Sequence, residues 1–341
     1  MAFLRCFGYK VRRAGGADVR IFAEDDKDDQ LDRTMIAGVT RYTSNELKKF
    51  TMNFSNSNLI ACGGFSRVYL AEFPDSTRRA VKIMDCSSER LNRIYKQELD
   101  ILVQIQHDNI VKLLDHCDDD QFGNMLVFEY VPNGTLQDKL HGNRDMILPW
   151  RNRMAVAFQL AQAIEYLHDK CPLQIVHGDI KSSNILLDDQ FNCKLCDFGS
   201  AKIGFSSSVS PPTNRVMLGS PGYTDPHYLR TGIASKKNDI YSFGVIILEL
   251  ISGVEAFSSV SGERLISKAA PILKNVSNVA EMMDPRLHRS YELEEAKAMM
   301  TLAALCLSDF PGLRPSASEI LETMRSRTSS ISFLFSVGKE V

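Results

Sequence analysis

The chain predicts an α+β protein of two lobes, a small β-rich lobe with one helix and a larger helical lobe. Three observations carry this. From Phe54 to Tyr130 apolar residues come in short strand-like runs, interrupted by one helical stretch. After Pro132-Asn133-Gly134 they recur at helical spacing instead. Ile240 to Ile251 is apolar nearly all round, as a helix at the centre of a lobe must be.

In chain order, residues 1–53 read as an N-terminal extension, partly disordered. Its start is basic and apolar, and an acidic run follows from Glu24 to Asp32. Thr43 to Glu46 fits a capping box before Leu47 and Phe50. Leu59 to Leu70 reads as two strands around a Gly-Gly turn, and Ala80 to Met84 as a third. Leu91 to Ile105 has helical spacing, and Leu113-Leu114 and Met125 to Phe128 complete the small sheet. In the second lobe, Trp150 to Lys170 places Met154, Ala157, Phe158, Ala161, Ile164 and Leu167 on a helical face. Ser316 to Glu319 is a second capping box and opens the last helix. The expected division is 54–130 for the first lobe, 131–325 for the second and 326–341 for a C-terminal tail.

Bulk composition narrows the function. With 341 residues, 44% of them hydrophobic, the chain can bury a sizeable core. A net charge of −2 gives no sign of nucleic-acid binding. Eight scattered cysteines and no signal-peptide pattern predict reduced thiols in a cytoplasmic protein. The sequons at Asn53, Asn133 and Asn275 are then chance matches. No apolar run reaches the roughly 18 residues of a membrane span. Phe243 to Ile251 is too short and carries Glu249.

The richest stretch is 175–199, which sets Asp179, Lys181 and Asn184 in one short loop and Asp197-Phe198-Gly199 after two apolar runs. Phosphoryl transfer needs a carboxylate to orient the acceptor, a cation near the moving phosphate and oxygen ligands for Mg²⁺. Asp179 fits the first need, Lys181 the second, and Asn184 with Asp197 the third. His177 reads as a core histidine fixing the loop backbone rather than as a base. Cys193 and Cys196 form C-x-x-C, but no second pair or histidine cluster follows, so zinc or redox chemistry is not expected.

Upstream, Ile60-Ala61-Cys62-Gly63-Gly64-Phe65-Ser66-Arg67-Val68 stands where a glycine-rich loop would cover phosphates. Lys82 follows in the strand Ala80-Val81-Lys82. A lysine there is costly unless paired, and Glu98 on the next helix is the natural partner.

These motifs, in this order, resemble a eukaryotic protein kinase over roughly 54–325. More narrowly, the chain resembles plant receptor-like kinases and their Pelle relatives, of the receptor-like cytoplasmic kind. The narrower resemblance rests on Leu126-Val127-Phe128-Glu129-Tyr130-Val131-Pro132-Asn133-Gly134, Leu148-Pro149-Trp150-Arg151, Gly219-Ser220-Pro221-Gly222-Tyr223, Asp239-Ile240-Tyr241-Ser242-Phe243-Gly244 and Arg314-Pro315. It implies a bilobal kinase fold, ATP and Mg²⁺, and transfer to Ser or Thr hydroxyls of protein substrates in intracellular signalling. Lys82 and Glu98 would form the catalytic ion pair. Val68, Ala80 and Leu186 would wall the adenine, with Phe128 at the back and Glu129 to Val131 as hydrogen-bonding backbone. Ile60, Ala61, Gly63, Gly64 and Ser66 would cover the phosphates. A membrane receptor kinase is the expected partner. The alternative reading is a pseudokinase, acting as a scaffold or allosteric partner.

Three departures from the family pattern stand out. Of the three loop glycines only Gly63 survives, with Ala61 and Ser66 in the other two places. His177-Gly178-Asp179 replaces His-Arg-Asp, the non-RD form, so activation-loop phosphate should matter less for aligning Asp179. Asp225-Pro226-His227 replaces Ala-Pro-Glu, so the brace to Arg314 is lost unless Asp225 supplies it. Between Ser200 and Thr224, seven hydroxyl residues (Ser206, Ser207, Ser208, Ser210, Thr213, Ser220, Thr224) are candidates for autophosphorylation. At the N-terminus, Ala2 removes the myristoylation signal. Cys6 beside Arg5, with Lys10, Arg12 and Arg13, is a candidate acylation site for peripheral contact with the plasma membrane.

Overall fold

Alternating residues in the first lobe sort to two faces of a sheet, and the pairing register shows what each face covers. The computed structural model describes residues 42–85, 87–118, 123–142, 147–204 and 219–334. Cys6 and its basic neighbours, the acidic run, and Ser206, Ser207, Ser208, Ser210 and Thr213 lie outside the described residues.

Five strands, β1 (Leu59–Cys62), β2 (Ser66–Glu72), β3 (Arg78–Met84), β4 (Leu113–Cys117) and β5 (Asn124–Glu129), form one sheet in the order β1-β2-β3-β5-β4. All its pairings are antiparallel. Val68, Lys82 and Leu126 are register partners, as are Leu70, Ala80 and Phe128, so these six share one face. Tyr69, Val81 and Val127 share the other. That second face is covered by helix α1 (Ser44–Phe50), whose buried Leu47 packs among Ala71, Phe73, Val81, Met125 and Val127. Thr43 and Glu46 close the expected capping box. The backbone N–H of Tyr42 donates to Asp115 Oδ2 at 3.0 Å, tying the entering chain to β4.

Helix α2 (Glu89–Leu102) starts on the Ser88 cap and ends three residues before the expected Ile105. Ile105 still packs on the core from the turn beyond, which is why the apolar period outlasts the helix.

The second lobe is built on α6 (Lys236–Ser252), buried from Asp239 through Ser252. Helices α3 (Leu136–His141), α4 (Trp150–Glu165), α5 (Pro226–Thr231), α7 (Leu265–Lys274), α8 (Leu293–Cys306) and α9 (Ala317–Arg327) complete this lobe. A π-helical turn, Tyr166–Lys170, continues α4 to the end expected for it. The short strands β6 (Ile175–Val176), β7 (Ile185–Leu187), β8 (Cys193–Leu195) and β9 (Lys202–Ile203) pair as β6-β9 and β7-β8. They present the loop carrying Asp179 and the segment carrying Asp197. Ser329–Leu334 forms a short 3-10 helix whose Ile331 is fully buried. No helix among the described residues is long and apolar enough to cross a membrane.

Candidate active site

Lys82 sits on the face of β3 that shares its register with Val68 and Leu126, where a lone ammonium would be costly. Two carboxylates meet it. Its Nζ donates to Glu98 Oε1 at 2.8 Å and Oε2 at 2.9 Å, and to Asp197 Oδ1 at 3.0 Å. Burial pushes the ammonium toward neutrality, but Glu98 and Asp197 outweigh it and hold the proton on Lys82. Lys82 in turn holds the Asp197 carboxyl below the usual carboxylate range. Burial of Glu98 pushes its own carboxyl upward, against the pull of Lys82. The expected Lys82–Glu98 pair is thus closed, and Asp197 is drawn into it.

Asp197 has φ +65, a left-handed conformation that costs a non-glycine residue free energy and that clusters at functional sites. The next residue, Phe198, is fully buried and packs edge-on to His177 with centroids 4.8 Å apart. This anchor holds Asp197 at the cleft.

In the catalytic loop, Asp179 Oδ2 accepts from Lys181 Nζ at 2.6 Å and from Asn184 Nδ2 at 3.2 Å. Its Oδ1 accepts from Ser220 Oγ at 2.7 Å, and Lys181 Nζ also donates to that hydroxyl at 3.0 Å. A hydroxyl therefore already sits between carboxylate and ammonium, donating to one and accepting from the other. Asn184 Nδ2 also donates to the Asp179 carbonyl at 2.9 Å, so its amide nitrogen is committed. Asn184 Oδ1 and Asp197 Oδ2 have no hydrogen-bond partner among the described residues. These are hard oxygen donors of the kind Mg²⁺ takes, so the residues fit a divalent cation.

The loop is pinned from below by Asp239 of α6, which sequence reasoning did not single out as a site residue. Its Oδ2 accepts from the His177 N–H and from His168 Nε2, each at 2.8 Å, and its Oδ1 accepts from the Gly178 N–H at 2.8 Å. His177 is fully buried, and its Nδ1 accepts from the Asp179 N–H at 3.3 Å, the backbone-fixing role expected of it. Gly178 has φ +78, where glycine is at no disadvantage. Glu249 was also missed. Its carboxylate accepts from Tyr223 Oη at 2.7 Å, Ser182 Oγ at 3.3 Å and the Ala256 N–H at 3.2 Å, joining the loop to the 219–226 segment. The available signal was a charged residue inside an otherwise apolar helix.

The brace to Arg314, expected to survive only if Asp225 supplied it, is supplied by Asp225. Arg314 Nη1 donates to Asp225 Oδ2 at 2.6 Å and Nη2 to Oδ1 at 2.9 Å, with both side chains almost wholly buried. Asp225 Oδ1 also accepts from the His227 N–H at 2.8 Å, so it caps α5 as well. Burial pushes the Asp225 carboxyl up, but the hydrogen bonds from Arg314 and His227 bring it below its ordinary range.

At the nucleotide end, Ala80 and Phe128 are buried while Val68 and Leu186 are half-buried. The Glu129 N–H is taken by the Lys112 carbonyl at 3.1 Å. The Val131 N–H makes no backbone hydrogen bond among the described residues and remains as a donor. Ile60, Ala61, Gly63 and Gly64 are exposed in the β1–β2 hairpin, which the Gly63 N–H closes onto the Ser66 carbonyl at 2.8 Å. Neither glycine has a positive φ. Cys193 is buried in β8, and burial raises the Cys196 thiol to about 12.

A paired lysine, a carboxylate hydrogen-bonded to its own lysine, and two oxygen donors without a hydrogen-bond partner among the described residues thus meet between the sheet and the helical lobe, the set of groups that phosphoryl transfer calls for. Residues 54–324 match the family model described as protein kinase domain, and the chain belongs to that family. The chain is 51% identical over 315 residues to a probable receptor-like protein kinase of Arabidopsis thaliana, covering 87% of this chain and 91% of that one. It is 43% identical over 339 residues to salt tolerance receptor-like cytoplasmic kinase 1 of Oryza sativa subsp. japonica, covering 96% and 93%. A probable serine/threonine-protein kinase of Arabidopsis thaliana is 34% identical over 325 residues, covering 92% and 76%. Membership implies ATP as substrate and a divalent metal.

Proposed function

We propose that this chain transfers the γ-phosphoryl group of ATP to serine and threonine hydroxyls of protein substrates. The observation that carries the reading is the closed contact of Lys82 with Glu98 and Asp197, standing alongside the Asp179–Lys181–Ser220 cluster. A scaffold has no physical need for both.

Lys82, aimed by Glu98, holds the α- and β-phosphates. Val68, Ala80, Leu186 and Phe128 enclose the adenine, and the Val131 N–H and Glu129 backbone address its edge. Gly63, Gly64, Ile60, Ala61 and Ser66 cover the phosphates. Asn184 and Asp197 would hold Mg²⁺, which would supply positive charge against the phosphates. Asp179 orients the acceptor hydroxyl and takes its proton as the oxygen attacks phosphorus. Lys181 faces the transferred group and balances its charge. Ser220 keeps Asp179 and Lys181 at the spacing that hydroxyl needs. With Gly178 in place of arginine, activation-loop phosphate has a smaller part in aligning Asp179.

Relatives named as receptor-like and receptor-like cytoplasmic kinases support a place beside a membrane receptor kinase, acting on protein substrates in the cytoplasm. The test is phosphoamino-acid analysis after reaction with labelled Mg-ATP and a mixed protein substrate. Phosphoserine and phosphothreonine are expected. Label on tyrosine alone, or on small molecules alone, would overturn the reading.

A further inference from the structure

Helix α8 carries Glu295, whose carboxylate is buried, 4% exposed, and makes no ion pair among the described residues. It is satisfied by neutral donors instead. Trp150 Nε1 donates to Oε2 at 2.9 Å, from the first residue of α4. The other three donors all come from the chain beyond α9. Ser329 Oγ donates to Oε1 at 2.7 Å, the Ser330 N–H to Oε1 at 2.8 Å, and Ser330 Oγ to Oε2 at 2.6 Å. Burial pushes the Glu295 carboxyl up, and these donors more than reverse it. Around this anchor, Ile331 is fully buried and Phe333 lies under the Arg151 guanidinium, 3.9 Å from centroid to Cζ.

The anchor has one feature that apolar docking lacks. Two of its three tail donors are serine hydroxyls, and Ser329 is exposed while Ser330 is half-buried. We propose that Ser329 and Ser330 are a phosphorylation site whose modification keeps the Ser329–Leu334 helix from docking on α4 and α8. In the step, the serine Oγ attacks the γ-phosphorus of ATP, the bond to the β-phosphate oxygen breaks, ADP leaves, and the hydroxyl proton passes to the kinase carboxylate. The product has lost the O–H donor and carries a charge of about −1.5 to −2. That charge would lie beside a buried carboxylate with no cation to share, so contact becomes repulsion. The docked form hides the Ser330 hydroxyl on Glu295. Phosphate is therefore added to the released form and keeps it released.

The test installs phosphoserine genetically at 329 or at 330 in the full chain and follows amide hydrogen exchange. The Ser330 N–H and its neighbours in Ser329–Leu334 should exchange at least about tenfold faster, since a hydrogen bond to a charged group is lost and a repulsion gained. Phosphoserine at Ser326, whose hydroxyl donates to the Thr323 carbonyl and not to Glu295, should leave them unchanged. Unchanged protection with phosphate at both 329 and 330, or equal loss from Ser326, would overturn the proposal. Phosphate mapping separates the sources. Label at 329 or 330 with Mg-ATP alone, absent in Asp179→Asn, assigns it to this chain, and label needing a eukaryotic cell extract assigns it to another serine kinase. No label in either arm refutes the site.

Discussion

Removing the Asp225 carboxylate should destabilise the second lobe and disable the substrate-side segment together. Arg314 would keep hydrogen bonds from Nε to the Ser308 carbonyl at 2.9 Å and from Nη1 to the Lys237 carbonyl at 2.9 Å, but no anion. Asp225→Ala leaves a buried guanidinium uncompensated, which costs about 3–5 kcal/mol. The lost α5 cap adds roughly 1 kcal/mol. For a domain of this size each kcal/mol lowers Tm by about 2–4 °C, so a drop on the order of 10 °C is expected by calorimetry. Arg314→Ala should cost a comparable amount, and the double variant much less than the sum. Adding His227→Glu to Asp225→Ala moves the carboxylate to the position where the family pattern has glutamate, and should recover part of the loss. The sign with pH follows from the depressed carboxyl of Asp225. Its stabilisation is fully present above the ordinary carboxylate pKa of about 4 and is lost as pH falls through the lower folded value. Wild type should therefore lose its advantage over Asp225→Asn on acidification below about pH 4. A Tm for Asp225→Ala within a degree or so of wild type, with phosphate transfer intact, would show that the Asp225–Arg314 pair does not brace this lobe.

Ser220→Ala frees Asp179 from one hydrogen bond and Lys181 from another; kcat should fall roughly tenfold with the KM for ATP little changed, as one hydrogen bond to a charged group implies, whereas Ser220→Thr should restore it. Gly63→Ala should leave Tm unchanged, because its Cβ meets only Ser66 Oγ at 3.3 Å and Ser66 O at 3.6 Å, but should raise the KM for ATP. An unaltered KM would show that the phosphates do not pass there. Lys82→Met should abolish phosphate transfer and, by leaving Glu98 and Asp197 facing one another, raise the pH at which a nucleotide-free thermal shift reports carboxylate titration.

The strands, the capping boxes and the charged site residues were legible because each is local. A short apolar run marks β3, and Thr43 with Glu46 marks the start of α1, without reference to anything distant. The Lys82–Glu98 pair was legible because one buried cation demands one partner and the next helix offers it. Asp239 and Glu249 were not read as site residues. Both lie in α6, and the loop backbone and side chains that they hold (His177 and Gly178 for Asp239, Ser182 and Tyr223 for Glu249) come from chain tens of residues away, so nothing local says what they hold. Asp225 was legible only as a conditional, because whether its shorter side chain reaches Arg314 is a matter of packing. The docking of Ser329 and Ser330 on Glu295 left no mark at all: a polar tail reads the same docked or free until its partner is placed.

In the function proposed here Asp179, on the loop backbone that Asp239 and His177 fix and paired with Lys181, makes this site a working phosphoryl-transfer centre despite its sparse glycine loop. The direct measurement is a single-turnover assay of phosphate transfer from Mg-ATP to protein, comparing wild type with Asp179→Asn at matched folding. Transfer by wild type that falls by about 10²–10⁴ in the variant, with nucleotide affinity retained, is the expected result for loss of a general base. Equal rates in the two proteins, or no transfer by well-folded wild type, would contradict it.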